Sequence, residues 1–200
     1  MTATATDSAR LSRKTIEVDP SVRLSCNVPA KNLAEVVSLV EGSEEIEISS
    51  TTEKIFFFFG NTLVSSRLIP GDYPVSSRII PQGFNCFLEI GSQQILSAVD
   101  RISVVATERA PVIKLSMDEE VVEVSSASDQ SGSGSEKIVP ISYNGDRLTI
   151  AFNANYVAQA VRALNAESVV FSFLGEMKPF VIKDPKNDSV VELITPMRTR

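Results

Sequence analysis

The sequence predicts an α+β fold, in which a strand–helix–three-strand unit occurs three times, with antiparallel sheets outside and the helices on one face. Three observations carry this. Val28, Ile90 and Phe152 stand 62 residues apart (28 to 90, 90 to 152) and each leads into a helical stretch. Each stretch then carries apolar residues at i, i+3, i+4 and i+7, a stripe along one helix face. The stripes are Leu33, Val36, Val37 and Val40; Ile95, Ala98, Val99 and Ile102; and Val157, Ala160, Val161 and Leu164. A constant spacing with matching flanks reads as an internal repeat. Finally, several short β-rich runs follow each helix, so single helices pack on antiparallel sheets.

In chain order, residues 1–23 read as a strand and a polar connection, stopped by Asp19-Pro20. The first unit has a strand over 24–28 and a helix from Pro29 to about Val40. Pro29 suits a first helical position, where no backbone donor is needed. Gly42 is a natural C-cap. Ile46-Glu47-Ile48 alternates, and the runs 54–59 and 62–69 flank Gly60-Asn61, a two-residue hairpin turn. Phe56 to Phe59 cannot all face one side of a strand, so two face the helix and two the other surface. The proline-punctuated stretch 70–81 marks a domain boundary. The second unit runs from Cys86 to about Ser125, with Ser92 as helix cap, the helix continuing towards Val104 and Val105, and strands over 112–115 and 121–124. Residues 125–135, Ser-Ser-Ala-Ser-Asp-Gln-Ser-Gly-Ser-Gly-Ser, read as a flexible surface loop. The third unit spans about Leu148 to Met197. Asn153 caps its helix, and Asn187-Asp188 turns its last hairpin.

Composition narrows the function. No apolar run approaches the roughly 20 residues that cross a bilayer, and 1–5 carry no signal-peptide pattern, so a cytoplasmic location is expected without membrane contact. There is no histidine, which removes imidazole as base or metal ligand. Cys26 and Cys86 lie in separate apolar runs and read as reduced, buried thiols. No phosphate loop, nucleophile elbow or metal spacing occurs, so neither a cofactor nor a metal nor an enzyme is expected. Glu44-Glu45 and Asp118-Glu119-Glu120 sit beside turns and read as solvated. Asp7-Ser8 has no base within reach by sequence. The net charge of −6 argues against coating nucleic acid over the whole surface, but leaves room for one basic face. Opposite the apolar stripes the helices carry Lys31, Asn32, Gln93, Gln94, Arg101, Asn155, Gln159 and Arg162. This fits either an ordinary wet surface or one that meets DNA phosphates without reading bases.

These residues resemble a known family. Val28-Pro29-Ala30-Lys31, Gly71-Asp72-Tyr73-Pro74 with Arg78-Ile79-Ile80-Pro81, and Ala151-Phe152-Asn153-Ala154-Asn155-Tyr156 are similar to stretches of the bacterial sliding clamp, the β subunit of DNA polymerase III. So are Thr6-Asp7-Ser8-Ala9-Arg10-Leu11 and the terminal Leu193-Ile194-Thr195-Pro196-Met197-Arg198. The resemblance covers essentially the whole chain in order. It implies a DNA-clamp fold and a C-terminal fragment, with 1–81 the later part of the middle domain and 82–200 the complete last domain. It implies a processivity factor that encircles double-stranded DNA without sequence preference, as a homodimer in the full-length parent. The same resemblance implies docking of the polymerase III α subunit and clamp-loader subunits through short linear peptides. The peptide pocket it implies uses Thr6, Ser8, Arg10, Leu11, Pro74, Arg78, Ile79, Pro179, Leu193, Thr195, Pro196, Met197 and Arg198. Ala9 stands where the family often has histidine, and Thr195 where a larger apolar residue is usual, which makes the pocket shallower. Lys31 matches a DNA-contact position, and Arg101 and Arg162 join it by helix face. Val104 and Val105 match apolar positions of the subunit interface. The alternative is a stand-alone protein-interaction domain that does not encircle DNA.

Overall fold

The structure is a computed structural model describing residues 1–40, 45–106, 111–128 and 132–198, apart from the side chains of Ser76 and Ser77. The chain forms two compact units. One comprises residues 17–75 with Met1, the other residues 2–16 and 76–200.

In the first unit, helix α1 (Ala30–Leu39) precedes β3 (Glu47–Ser50), β4 (Lys54–Phe59) and β5 (Thr62–Arg67), which form a three-stranded sheet in the order β3-β4-β5. The period-2 alternation of β4 decides its packing. Ile55, Phe57 and Phe59 are buried with Val36 of α1, while Phe56 is half-buried and Phe58 is 49% exposed on the other face. Gly60 takes a positive φ of 53° in the two-residue turn that pairs Phe59 with Thr62.

The second unit holds two of the repeats. Its strands are β1 (Thr2–Thr6), β2 (Arg10–Thr15), β6 (Cys86–Gly91), β7 (Val112–Met117), β8 (Val122–Ser128), β9 (Gly132–Ile138), β10 (Ser142–Asn144), β11 (Leu148–Asn153), β12 (Ser168–Phe173), β13 (Phe180–Asp184) and β14 (Asn187–Ile194). Its helices are α2 (Ser76–Ile79), α3 (Ser92–Ser103) and α4 (Ala154–Leu164). A seven-stranded sheet runs β1-β2-β14-β13-β12-β6-β10, and a four-stranded one β11-β7-β8-β9. All pairings are antiparallel. Helices α3 and α4 pack on each other and on both sheets, and their stripes enter one continuous core.

The two repeats exchange strands. The strand before each helix joins the sheet made by the strands after the other helix. Thus β6 pairs with β12, Cys86 opposite Phe173 and Gly91 opposite Ser168, and β11 pairs with β7, Leu148 opposite Met117 and Asn153 opposite Val112. A second mark of the repeat runs through the whole chain. The carbonyls of Asn27, Glu89 and Ala151, again 62 residues apart, accept from the backbone N–H of Ile69, Ile141 and Met197 at 2.8, 2.8 and 2.7 Å.

Several expectations need correcting. Residues 24–28 form no strand. The 125–135 loop is instead the end of β8 and the start of β9, with 129–131 outside the described residues. Small residues are needed there because a Cβ on Gly134 would stand 3.3 Å from Val105 and 3.6 Å from Ile102. Ser92 is the first helical residue rather than the cap, and its buried hydroxyl has no partner among the described residues. Asn153 does cap α4, its side chain accepting from the Asn155 N–H at 2.9 Å. Pro29 stands one place before the helix. α3 ends at Ser103, and Val104 and Val105 form a turn. The last hairpin turns at Pro185-Lys186, two residues earlier than expected, because Asp184 pairs with Asn187. Gly42 and Glu44 lie outside the described residues. Cys26 and Cys86 are free thiols.

Candidate functional site

The β1–β2 turn is built by its own polar side chains. Asp7 Oδ1 accepts from the N–H groups of Ala9 and Arg10, each at 3.1 Å, and Asp7 Oδ2 from Arg10 Nε at 2.9 Å. Burial pushes the pKa of this carboxyl up, but the Arg10 and backbone donors outweigh it and hold the pKa below the ordinary value. Thr6 Oγ1 donates to the Arg10 carbonyl at 2.7 Å and accepts from Ser8 N–H at 3.3 Å. Ser8 takes a positive φ of 73°. Asp7 and Ser8 therefore shape a turn.

This turn meets the end of the chain. Leu11 pairs with Leu193 and Arg10 with Ile194 in the β2–β14 ladder, and Thr195 N–H donates to the Ala9 carbonyl at 2.9 Å. Leu11 is only 1% exposed, packed with Ile80, Val181, Val191 and Leu193. The Arg10 guanidinium lies 4.4 Å from the centre of the Tyr156 ring and donates to the Gln159 side-chain oxygen. Beyond Thr195 the chain passes buried Pro196, and the Met197–Ala151 bond turns it along β11. There Met197 and Arg198 line a cleft of about 460 Å³ with Lys114, Thr149, Ile150, Ala151, Glu176 and Met177.

Of the thirteen pocket residues, the structure thus gathers Thr6, Ser8, Arg10, Leu11, Leu193, Thr195, Pro196, Met197 and Arg198 along one turn, ladder and tail. Arg78 and Ile79 are exposed on α2, next to buried Ile80. Pro179 is half-buried beside Phe180, and Pro74 belongs to the first unit. Tyr156 and Gln159, the partners of Arg10, are not among the thirteen, although Gln159 stands among the polar helix residues noted opposite the apolar stripes. Their signal was their i, i+3 spacing, which puts them on one edge of α4.

Of the DNA-facing candidates, Lys31 is exposed on α1. Arg101 makes a two-point bond to Glu136 at 2.8 and 2.6 Å, and Arg162 pairs with Asp100 at 3.3 Å, tying α4 to α3. Val104 is 80% exposed, whereas Val105 is half-buried beside Gly134.

One carboxylate in this region is buried. Glu192 accepts from Ser12 Oγ at 2.7 Å, and burial pushes its pKa up, against the Ser12 bond and the Arg10 charge. A carboxyl with a raised folded-state pKa favours folding at acid pH. That contribution is lost as pH rises through the folded-state value. Glu192→Gln keeps an acceptor for Ser12 and carries no charge. It is expected to be more stable than the parent at neutral pH, with the difference vanishing at acid pH. Urea unfolding across that range checks this, and a difference independent of pH would contradict it.

The family model of the DNA polymerase III beta subunit, C-terminal domain, matches residues 77–198, and that of its central domain matches 1–75. The beta sliding clamps of Staphylococcus aureus and Staphylococcus epidermidis are each 37% identical over 199 residues, covering 98% of this chain and 53% of the relative. The crystal structure of the DNA polymerase sliding clamp from Bacillus subtilis superposes with a TM-score of 0.94 at 35% identity, covering 98% of this chain and 53% of that one. The Streptococcus pyogenes beta subunit superposes at 0.92 with 27% identity. The chain spans about half the length of the curated relatives it matches. It belongs to the DNA polymerase III beta subunit, or sliding clamp, family.

Proposed function

We propose that this chain works as part of a processivity clamp, docking short linear peptides of the polymerase III α subunit and clamp-loader subunits. The meeting of the β1–β2 turn with the chain's end carries this reading. Thr195 bonded to Ala9, with Met197 and Arg198 opening onto the cleft, sets a flexible apolar thioether beside a cation, an arrangement suited to a peptide anchor. In this reading 1–81 are the later part of the middle domain and 82–200 the last domain. The parent protein closes as a homodimer around double-stranded DNA and does no bond chemistry.

Lys31, Arg101 and Arg162 face the phosphates in that arrangement. The Arg101 and Arg162 guanidinium groups are exposed and their ion pairs are screened by solvent, so trading carboxylate for phosphate costs little. Sequence-independent binding has a Kd of about 10⁻⁴ to 10⁻⁶ M, too weak to retain a polymerase through long synthesis. Closure of a ring supplies retention, and weak contacts permit sliding.

The test is fluorescence anisotropy with a labelled clamp-binding peptide. Met197 is half-buried and lines the cleft, so Met197→Ala is expected to weaken binding roughly tenfold while leaving the circular dichroism spectrum unchanged. Unchanged affinity removes the assignment. Leu11→Ala is a poor substitute, because it opens the core beneath the site.

A further inference from the structure

Two methionines share the cleft. The chain has four, and two of them, Met177 and Met197, line this one cavity. They reach it from different stretches. Met177 sits in the turn between β12 and β13, where the Lys178 N–H donates to the Gly175 carbonyl at 3.3 Å. Met197 is set beside β11 by its own N–H, which donates to the Ala151 carbonyl at 2.7 Å. Met177 is 52% exposed and Met197 half-buried, so solvent reaches both side chains. Met117 is different. It is 1% exposed and belongs to the main core, whereas neither cleft methionine belongs to a core cluster.

A thioether is apolar, polarizable and adaptable, which suits the wall of a peptide anchor. It is also open to two-electron oxidation. The sulfur lone pair attacks one oxygen of a peroxide, the O–O bond breaks as an S–O bond forms, and the other oxygen leaves as water with both hydrogens. Sulfur loses two electrons and the peroxide gains them. The product is a polar, chiral sulfoxide, which methionine sulfoxide reductases return to the thioether. Lys114 and Arg198 line the same cleft and carry N–H donors, so a sulfoxide oxygen has partners there. An apolar wall that turns polar no longer gives an apolar peptide side chain a dry seat.

We propose that Met177 and Met197 form a reversible oxidation site through which peroxide weakens peptide docking at this cleft. The proposal rests on the docking reading and adds its regulation. Because the core methionine is out of reach, oxidation alters the cleft and spares the fold.

The test uses the full 200-residue chain, hydrogen peroxide and the labelled clamp-binding peptide. Mass-spectrometric peptide mapping is expected to find sulfoxide at Met177 and Met197 while Met117 stays unmodified. The peptide Kd is expected to rise at least about tenfold, with the circular dichroism spectrum unchanged. A thiol reductant, added once the peroxide is removed, reverses disulfide and sulfenic products at Cys26 and Cys86 but leaves sulfoxide in place, so the loss should survive it. Methionine sulfoxide reductases acting on both epimers are then expected to restore the affinity. Met177→Leu combined with Met197→Leu is read as a ratio, its Kd after peroxide over its Kd before, whatever its starting affinity. That ratio is expected to stay at about one, since leucine offers no sulfur. A tenfold ratio in this variant places the damage elsewhere and overturns the proposal, as does sulfoxide forming at Met117 ahead of the other two. Absence of binding by the untreated chain overturns the docking reading and this proposal with it. Binding that survives full oxidation of Met177 and Met197 overturns this proposal alone.

Discussion

Phe180→Ala is expected to destabilise the second unit by about 3–5 kcal/mol, lowering its melting temperature on the order of 10 °C. Phe180 is fully buried at the hub of an aromatic cluster. Its ring centre lies 5.3 Å from Phe173, 5.7 Å from Phe152 and 6.2 Å from Phe171. These rings come from β11, β12 and β13, so the cluster joins the two sheets across the α4 stripe. Truncation removes the transfer energy of the ring and leaves a cavity that three neighbouring aromatics on fixed strands cannot fill. Phe58→Ala is the control. That ring is half exposed on the outer face of β4, and its loss is expected to cost under about 1 kcal/mol. Urea midpoints with an unchanged slope check both. Equal effects would mean that the cluster is not the centre of the core.

Much of this arrangement was legible in the residues because it repeats. The 62-residue spacing fixed the three helices, and the alternation Ile55-Phe57-Phe59 fixed which phenylalanines turn inward. What stayed hidden was long-range pairing. Residues 24–28 carry the pattern of a strand, but a strand needs a neighbour, and the neighbour depends on topology. Residues 125–135 read as a loop because serine and glycine dominate them. They form strands because the ladder and the closeness of α3 outweigh weak local preference.

The site was less legible. Its residues come from a turn near residue 7, a strand near 193 and a helix near 156, and no spacing rule links them. The family resemblance pointed to most of them. The Arg10–Tyr156 stack and the cleft between Met177 and Met197 required coordinates. The resemblance also carried no information about burial. The resemblance assigns Leu11 to the site, yet its side chain is core, 1% exposed and packed with Ile80, Val181, Val191 and Leu193.

Gly145→Ala is expected to destabilise the second unit by about 2–6 kcal/mol, from two separable causes. Gly145 follows β10 with a φ of 135°, a conformation that L-residues rarely adopt, at a cost of about 1–3 kcal/mol. A Cβ placed there would also stand 2.8 Å from both Cα and Cβ of Cys86 and 3.0 Å from the Asn85 carbonyl oxygen. Two of those three atoms are backbone, held in place because β6 is paired on both sides, by β10 and β12. The strand cannot yield without breaking a ladder, which adds about 1–3 kcal/mol of overpacking. The preceding strand β10 holds Tyr143, whose hydroxyl accepts from the Cys86 thiol at 3.2 Å and donates to the Asp146 carbonyl at 2.5 Å, so displacement would strain that chain of bonds too. Gly175 separates the two causes. Its φ is 132°, but nothing lies within 4 Å of its would-be Cβ, so Gly175→Ala should show the backbone cost alone. Chemical denaturation of the two variants side by side should show Gly145→Ala the more damaging by the steric share. Equal losses would mean that β6 gives way freely, contrary to its doubly paired position.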